Sequence, residues 1–467
     1  MPIIIVLVAL AAAGWLGFMA AAGAQSHLVV LAASCLVGLF AFFSPRLSLT
    51  LLVFSMLLSP EIGLGAVSGS RSLVVRYDDI FIAIIFLSWF ARSAIFKHKP
   101  FITATPVQMP VMLYTALCVV STGLGVMRGD LSWKISSLYV LKYIEYFLLF
   151  FMTVNVVESE EDVKKFLRYG LVVALLVTVY AYYYYYSSGV AARATAPFEA
   201  PIGDPRDSEP ASLGGYYLIV FGILLGLVSE TGGRLPLLAL STLIFAFPAF
   251  LFTFSRSSYM GFAAMIPALF FFSRKRRLFL IGFLALGGLA FLLVPNVKTR
   301  VMDRIQMTYS GVYATQSFET ALGGQVRLED SAAARVYSLK STILEKLPKH
   351  PFFGWGVTGV GLGDTQYSLV LGELGLLGAV LFIWMIYRLF FTARAVYRMY
   401  ASPLVRALSL GFTIALVGLL FQAVGVNNFI VVRIMEPFWF VAALLSVLYN
   451  TGKTSGSAVT QPSGDKA

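Results

Sequence analysis

Apolar runs of roughly 18 residues or more return along nearly the whole length of this sequence. As a helix, a run of that length matches the hydrocarbon thickness of a bilayer, and within lipid only helices or closed barrels satisfy their own backbone. Hydrophobic residues make up 58% of the 467 and charged residues 12%. The pattern predicts an all-α, polytopic integral membrane protein in which residues 1–450 form a single transmembrane helical domain. About fourteen spans are expected: 3–23, 27–43, 47–60, 79–96, 107–125, 135–157, 167–187, 213–230, 236–254, 257–273, 278–294, 367–387, 407–424 and 430–449. The third is short and ends at Ser59-Pro60, so 27–60 reads either as two spans or as a partly re-entrant pair. The first run lacks a basic leading region and is followed at once by another span, so it reads as retained rather than cleaved.

Lys and Arg in the short connectors set the orientation. With the N-terminus inside, the inner connectors hold about 18 cations, among them the run Arg274-Lys275-Arg276-Arg277, against about seven in the short outer ones. Both termini then lie on the inner side. The formal charge of +12 is largely this orientation charge, and no nucleic-acid partner is expected. Cys35 and Cys118 fall inside apolar runs and read as packing residues, while His27, His98 and His350 show no ligand spacing. With no zinc signature and no Gly-rich nucleotide loop, neither a cofactor nor a metal is expected.

One connector is exceptional. Residues 295–366 form a polar insertion, too long for a turn and placed outside by the orientation. Within it, "DSAAARVYSLKSTILEKLPKHP" repeats Val336, Leu339, Ile343, Leu344 and Leu347 at helical spacing. Asp330 or Ser331 is expected to cap this amphipathic helix and Pro348 to close it, with Arg335 off the apolar stripe. The Tyr182–Tyr186 run falls at the outer end of a span and reads either as an interfacial belt, since rings favour the headgroup zone, or as a sugar-stacking platform. The Gly/Ser/Thr-rich residues 451–467 read as a disordered cytoplasmic tail.

Certain charges on the outer side are not explained by orientation. Arg193 lies in "ARATAPF", Arg256 in "FTFSRSSYMGF" between two apolar runs, and Arg335 in the outer helix. Arginine at an apolar junction is costly unless it pairs, snorkels to headgroups or faces a watery cavity, and its planar fork suits phosphate. The three together would make an anion site. Lys142 and Glu145, spaced i,i+3 in "LKYIEYFLLFF", either neutralise each other or serve a substrate or proton. Asp204, Asp207 and Glu209 sit among Pro and Ser and read as a solvated loop face, whereas Asp364 and Glu373 open the apolar run "DTQYSLVLGELGLLG".

The order of "SAAARVYSLKSTILEKLPKHPFFGWGVTGVG" followed by "DTQYSLVLGELGLLG" resembles the O-antigen ligase and Wzy-type O-antigen polymerase superfamily. There an Arg-bearing outer helix leads to a Pro-x-x-Gly-x-Gly turn, here Pro351 to Gly356. A helix mouth of the form His/Asp-Asn-x-Tyr-Leu and then Glu-x-Gly-x-x-Gly follows, matched here by Asp364, Tyr367, Glu373, Gly375 and Gly378. Arg193 and Arg256 fall in the family's Arg-x-x-x-x-Phe and Ser-Arg-Ser contexts. Ligases carry histidine where this chain has Asp364, and Thr365 replaces the Asn, so the match is closer to the polymerases.

The resemblance implies a metal-independent inverting glycosyltransferase of the C-type membrane class in a bacterial inner membrane, with its active site periplasmic. The donor would be a glycan on undecaprenyl pyrophosphate and the acceptor a hydroxyl of a second glycan, with a chain-length regulator and a flippase as partners. Arg193, Arg256 and Arg335 would neutralise the leaving pyrophosphate. Asp364 would take the acceptor's proton, or else orient the acceptor or pair with an arginine. Tyr367, Glu373, Lys142 and Glu145 would support the site. Rival readings are an O-antigen ligase acting on an acceptor such as lipid A-core, a lipid-linked glycan flippase, and a peptidoglycan glycosyltransferase of the shape-and-division type.

Overall fold

The computed structural model describes residues 41–68, 71–96, 103–189, 193–198, 210–273, 316–319, 325–361 and 365–459, with isolated positions elsewhere. Among these are twelve helices and two small hairpins. Helix α1 (Pro45–Leu58) leads into the antiparallel hairpin β1 (Glu61–Ser68) and β2 (Arg71–Arg76), which runs straight into α2 (Tyr77–Phe96). Then come α3 (Gln108–Met127), α4 (Trp133–Val156), α5 (Glu160–Ser187), α6 (Pro210–Glu230), α7 (Leu235–Leu251) and α8 (Arg256–Phe272). A second antiparallel hairpin, β3 (Gln316–Glu319) and β4 (Gln325–Leu328), precedes α9 (Asp330–Ser341). The long α10 (Gln366–Met399), α11 (Pro403–Gln422) and α12 (Val432–Val459) complete the chain.

Local chemistry starts several of these helices. Ser159 caps α5 by accepting from the Asp162 N–H at 3.1 Å, and Glu160, Glu161 and Asp162 put negative charge at the positive end of its dipole. Thr365 caps α10 in the same way through the Ser368 N–H at 3.1 Å. Proline enters the first turn of α1, α7 and α11, where its missing N–H is no loss.

The core is built around α6, every residue of which except Ala211 is buried. Its neighbour α11 approaches backbone to backbone: a Cβ on Gly226 would lie 2.1 Å from the Ala407 carbonyl, and one on Gly222 would lie 2.5 Å from that of Gly411. In lipid, where apolar side chains gain little by leaving the solvent, such small-residue contact supplies the packing energy. Helices α7, α8 and α12 pack around α6, while α10 packs on α3, α11 and α12, and α12 on α4.

Seven described helices are long and apolar enough to cross a membrane: α3 to α6 and α10 to α12. Helix α1 has 14 residues, α7 and α8 have 17 each, and α2 opens on Asp78 and Asp79. The expected spans 3–23 and 278–294, and most of 27–43, lie outside the described residues.

The described residues agree with an all-α membrane protein, to which the hairpins at 61–76 and 316–328, where short extended segments fold back on themselves, are a small addition. The structure departs from the sequence reading in two places. The expected tail begins helical, because α12 continues to Val459, and residues 460–467 lie outside the described set. Neither Asp330 nor Ser331 caps α9: Glu329 occupies the cap position without a side-chain bond, and Ser331 Oγ instead accepts from Arg335. A short π turn, Thr342–Lys346, extends α9 towards Pro348.

Candidate active site

The turn Phe252–Ser255 between α7 and α8 is gripped from outside by the segment carrying Arg193. Ala194 N–H donates to the Phe252 carbonyl at 2.8 Å, Arg193 Nε to that of Thr253 at 2.9 Å, and Arg193 Nη2 to that of Phe254 at 3.2 Å. Arg256, the first residue of α8, pairs with Glu329 just ahead of α9. Arg335 reaches from α9 to the loop between α11 and α12, donating from Nε to the Gly425 carbonyl at 2.7 Å. Gly425 in turn faces α8, since a Cβ there would stand 3.0 Å from Ser257 Cβ and 3.6 Å from Arg335 Nε. The three arginines thus gather round the first turn of α8, whose helix dipole adds to their positive field. All three are half-buried, the condition in which a guanidinium keeps its charge yet interacts strongly.

Asp364 lies outside the described residues. Its neighbours in sequence pin the mouth of α10 to the same elements. Ser368 Oγ lies 3.0 Å from Ser338 Oγ, one turn beyond Arg335 on α9. Gln366 N–H donates to the Ala423 carbonyl at 3.0 Å, Gln366 Oε1 accepts from the Phe429 N–H at 3.0 Å, and Tyr367 Oη donates to the Leu420 carbonyl at 2.6 Å. The α11–α12 loop therefore holds both Arg335 and the start of α10.

Two turns further in, α10 breaks. Gly375 has φ 66° and ψ −160°, which interrupts the helical ladder and strands backbone groups on both sides. The Pro351–Gly356 turn satisfies them: Trp355 and Gly356 N–H donate to the Gly372 and Glu373 carbonyls at 3.0 and 2.9 Å, and Leu376 N–H donates to the Pro351 carbonyl at 2.8 Å. Buried Glu373 accepts from the Thr358 N–H at 2.7 Å. His350 only flanks this turn, edge-on to Trp355 with ring centroids 4.4 Å apart.

Lys142 and Glu145 belong elsewhere. Lys142 pairs first with Asp79 of α2, and its contact with Glu145 is longer at 3.6 Å, so the intrahelical pair is part of an interhelical network. That network continues through Arg76, which pairs with Asp78 and lies 3.6 Å from Glu436. Arg76, Asp78, Asp79, Arg433 and Glu436 were missed from sequence because they come from both ends of the chain. The available signal was an acid inside the apolar run "VVRIMEPFWF". The tyrosine run divides: Tyr185 stacks on Phe252 at 4.0 Å, while Tyr183 and Tyr186 are exposed.

Residues 241–372 match a family model described as O-antigen ligase. The chain resembles the O-antigen ligase and polymerase superfamily. No curated protein matches it. The O-antigen ligase match begins within α7 and takes in Arg256, Arg335, Asp364 and Tyr367, with Arg193 ahead of it and Glu373 one residue beyond. Together with the seven apolar helices, it supports a membrane glycosyltransferase of the O-antigen ligase or polymerase type.

Proposed function

We propose that this protein polymerises glycan repeat units carried on undecaprenyl pyrophosphate, at the periplasmic face of a bacterial inner membrane that it crosses about fourteen times. The observation that carries this reading is the gathering of Arg193, Arg256 and Arg335 around the first turn of α8. A site rich in guanidinium forks beside apolar helices suits a pyrophosphate attached to a lipid. It would stabilise the charge that develops as the glycosidic bond to phosphate breaks. Glu329 would yield Arg256 to the entering phosphate. Asp364, one residue before the pinned mouth of α10, is the proposed acceptor of the sugar hydroxyl's proton, which fits an inverting, metal-independent transfer. Tyr367 and Glu373 hold the mouth and the broken helix in place rather than touching the sugar.

The match to the O-antigen ligase family favours a second reading, in which the same site ligates finished glycan to an acceptor such as lipid A-core. Purified protein given lipid-linked repeat units alone separates the two, because only a polymerase lengthens chains without a second acceptor. Asp364→Asn and Arg256→Ala should each abolish lengthening in folded protein. Full activity in Asp364→Asn would overturn the base, and normal activity of alanine variants at all three arginines would overturn the pyrophosphate site. Movement of labelled glycan across the bilayer without new glycosidic bonds would indicate a flippase instead.

A further inference from the structure

The junction of α1, α2, α4 and α12 buries a charged cluster separate from the arginine turn. Asp78 and Glu436 have no exposed surface, and Arg433, Arg76 and Glu145 are 2%, 3% and 8% exposed. Arg76 pairs with Asp78 and approaches Glu436, Lys142 bridges Asp79 and Glu145, and Arg433 stands within electrostatic reach of Asp78. Four carboxylates thus face three cations, one positive charge short of balance.

The hydrogen bonding falls short in the same place. With all four carboxyls ionised, Asp78 Oδ1, Asp79 Oδ1, Glu145 Oε1 and both Glu436 oxygens are buried without a hydrogen-bond donor. One oxygen each from Asp78, Asp79 and Glu436 lies within 4.8 Å of the others. Buried carboxylate oxygens left without a donor are strongly unfavourable, and ionisable groups kept at membrane depth commonly mark ion or proton sites. The charge count discriminates between ligands. A divalent ion would overshoot, leaving the buried cluster with a net positive charge, and an anion would deepen the deficit. A single unit of positive charge balances it.

We propose that Asp78, Asp79 and Glu436 form a binding site for one monovalent cation, a proton or a sodium-sized ion. The site also has mechanical consequences. Arg76 donates to the Met56 carbonyl at 2.5 Å, and Arg433 to those of Leu57 at 3.1 Å and Phe198 at 2.9 Å. The cation therefore helps clamp the end of α1 and the segment that carries Arg193. The inference stands whether or not the arginine turn binds pyrophosphate.

The test uses the purified full-length protein in detergent. Infrared spectra are taken for a protonated-carboxyl C=O band, and unfolding temperature is followed as sodium replaces choline at constant ionic strength. If the ligand is a proton, the wild type shows the band without sodium, and Glu436→Gln removes or shifts it. If it is sodium, the band is absent, unfolding temperature rises to saturation with sodium, and Glu436→Gln abolishes that rise. Glu161→Gln, at an exposed ion pair, should leave both readouts unchanged. Absence of both the band and the sodium response in wild type overturns the proposal, as does one tightly held divalent ion per chain. Should Glu436→Gln fail to fold, Asp79→Asn takes its place, so that a band from the cluster is told apart from one due to buried Glu373.

Discussion

Glu373 on α10 holds Thr358, a β-branched residue at φ 74°, by accepting from its backbone N–H at 2.7 Å. Thr358 Oγ1 is held as well, 2.8 Å from Ser136 Oγ on α4. Only two other described residues besides glycine have positive φ, Phe198 and Phe254, and each gives its carbonyl to an arginine, Arg433 and Arg193 respectively. Left-handed backbone at a side-chain-bearing residue is of order 1–3 kcal/mol unfavourable and persists where its surroundings over-determine it. Here the surroundings are charged or carboxyl side chains at the same end of the bundle as the candidate site.

Glu373→Ala removes the acceptor and leaves the Thr358 N–H and a buried void behind. We expect a loss of about 1–3 kcal/mol from the unsatisfied donor alone. Glu373→Gln keeps a carbonyl oxygen in place and should lose less. Thermal unfolding in detergent checks the order; equal losses would assign the effect to side-chain volume.

Gly375→Ala should destabilise the break in α10. Its φ of 66° disfavours any side chain, and the added Cβ would stand 2.5 Å from the Phe352 carbonyl oxygen. Gly123→Ala on α3 meets nothing within 4 Å and should stay within about 1 kcal/mol of wild type. The contrast is read from unfolding temperatures, and a neutral Gly375→Ala would mean the turn can retreat.

The Arg256–Glu329 pair sets the strength of the proposed anion site. Glu329→Gln removes the competing carboxylate and should tighten binding of inorganic pyrophosphate severalfold. Arg256→Ala should weaken it about tenfold or more, the equivalent of roughly 1.5–3 kcal/mol for a hydrogen bond to a charged group. Isothermal titration at low and high salt reads both, since an exposed electrostatic contribution fades with screening.

Arg433→Ala leaves Asp78 and Glu436 with less buried positive charge and should destabilise by about 3–5 kcal/mol. Adding Glu436→Gln should recover part of that loss, because residues in one charged network do not act additively. Additive losses in the double variant would place Arg433 outside the cluster and leave only its bonds to Leu57 and Phe198.

Most of the helical framework was legible in the sequence, since apolar length is a local property and each span announces itself. The arginine turn was half legible. Arg256 at an apolar junction drew attention by itself, but nothing local linked it to Glu329, or Arg335 to Gly425. The order of the Pro351–Gly356 turn and the Glu373–Gly378 segment was readable. That the turn repairs a broken helix was not, because those bonds depend on backbone conformation at Gly375.

The seven apolar helices, the caps at Ser159 and Thr365 and the match to the O-antigen ligase family were therefore determined by the sequence itself, through burial, periodicity and short-range hydrogen bonding. Tertiary structure alone decided the charge partners. Asp79 with Lys142 and Arg76 with Glu436 are separated by 63 and 360 positions, and a buried charge takes as its partner whichever opposite charge the helix packing brings near. Electrostatic attraction in a low-dielectric interior depends on distance in space, which sequence spacing does not encode.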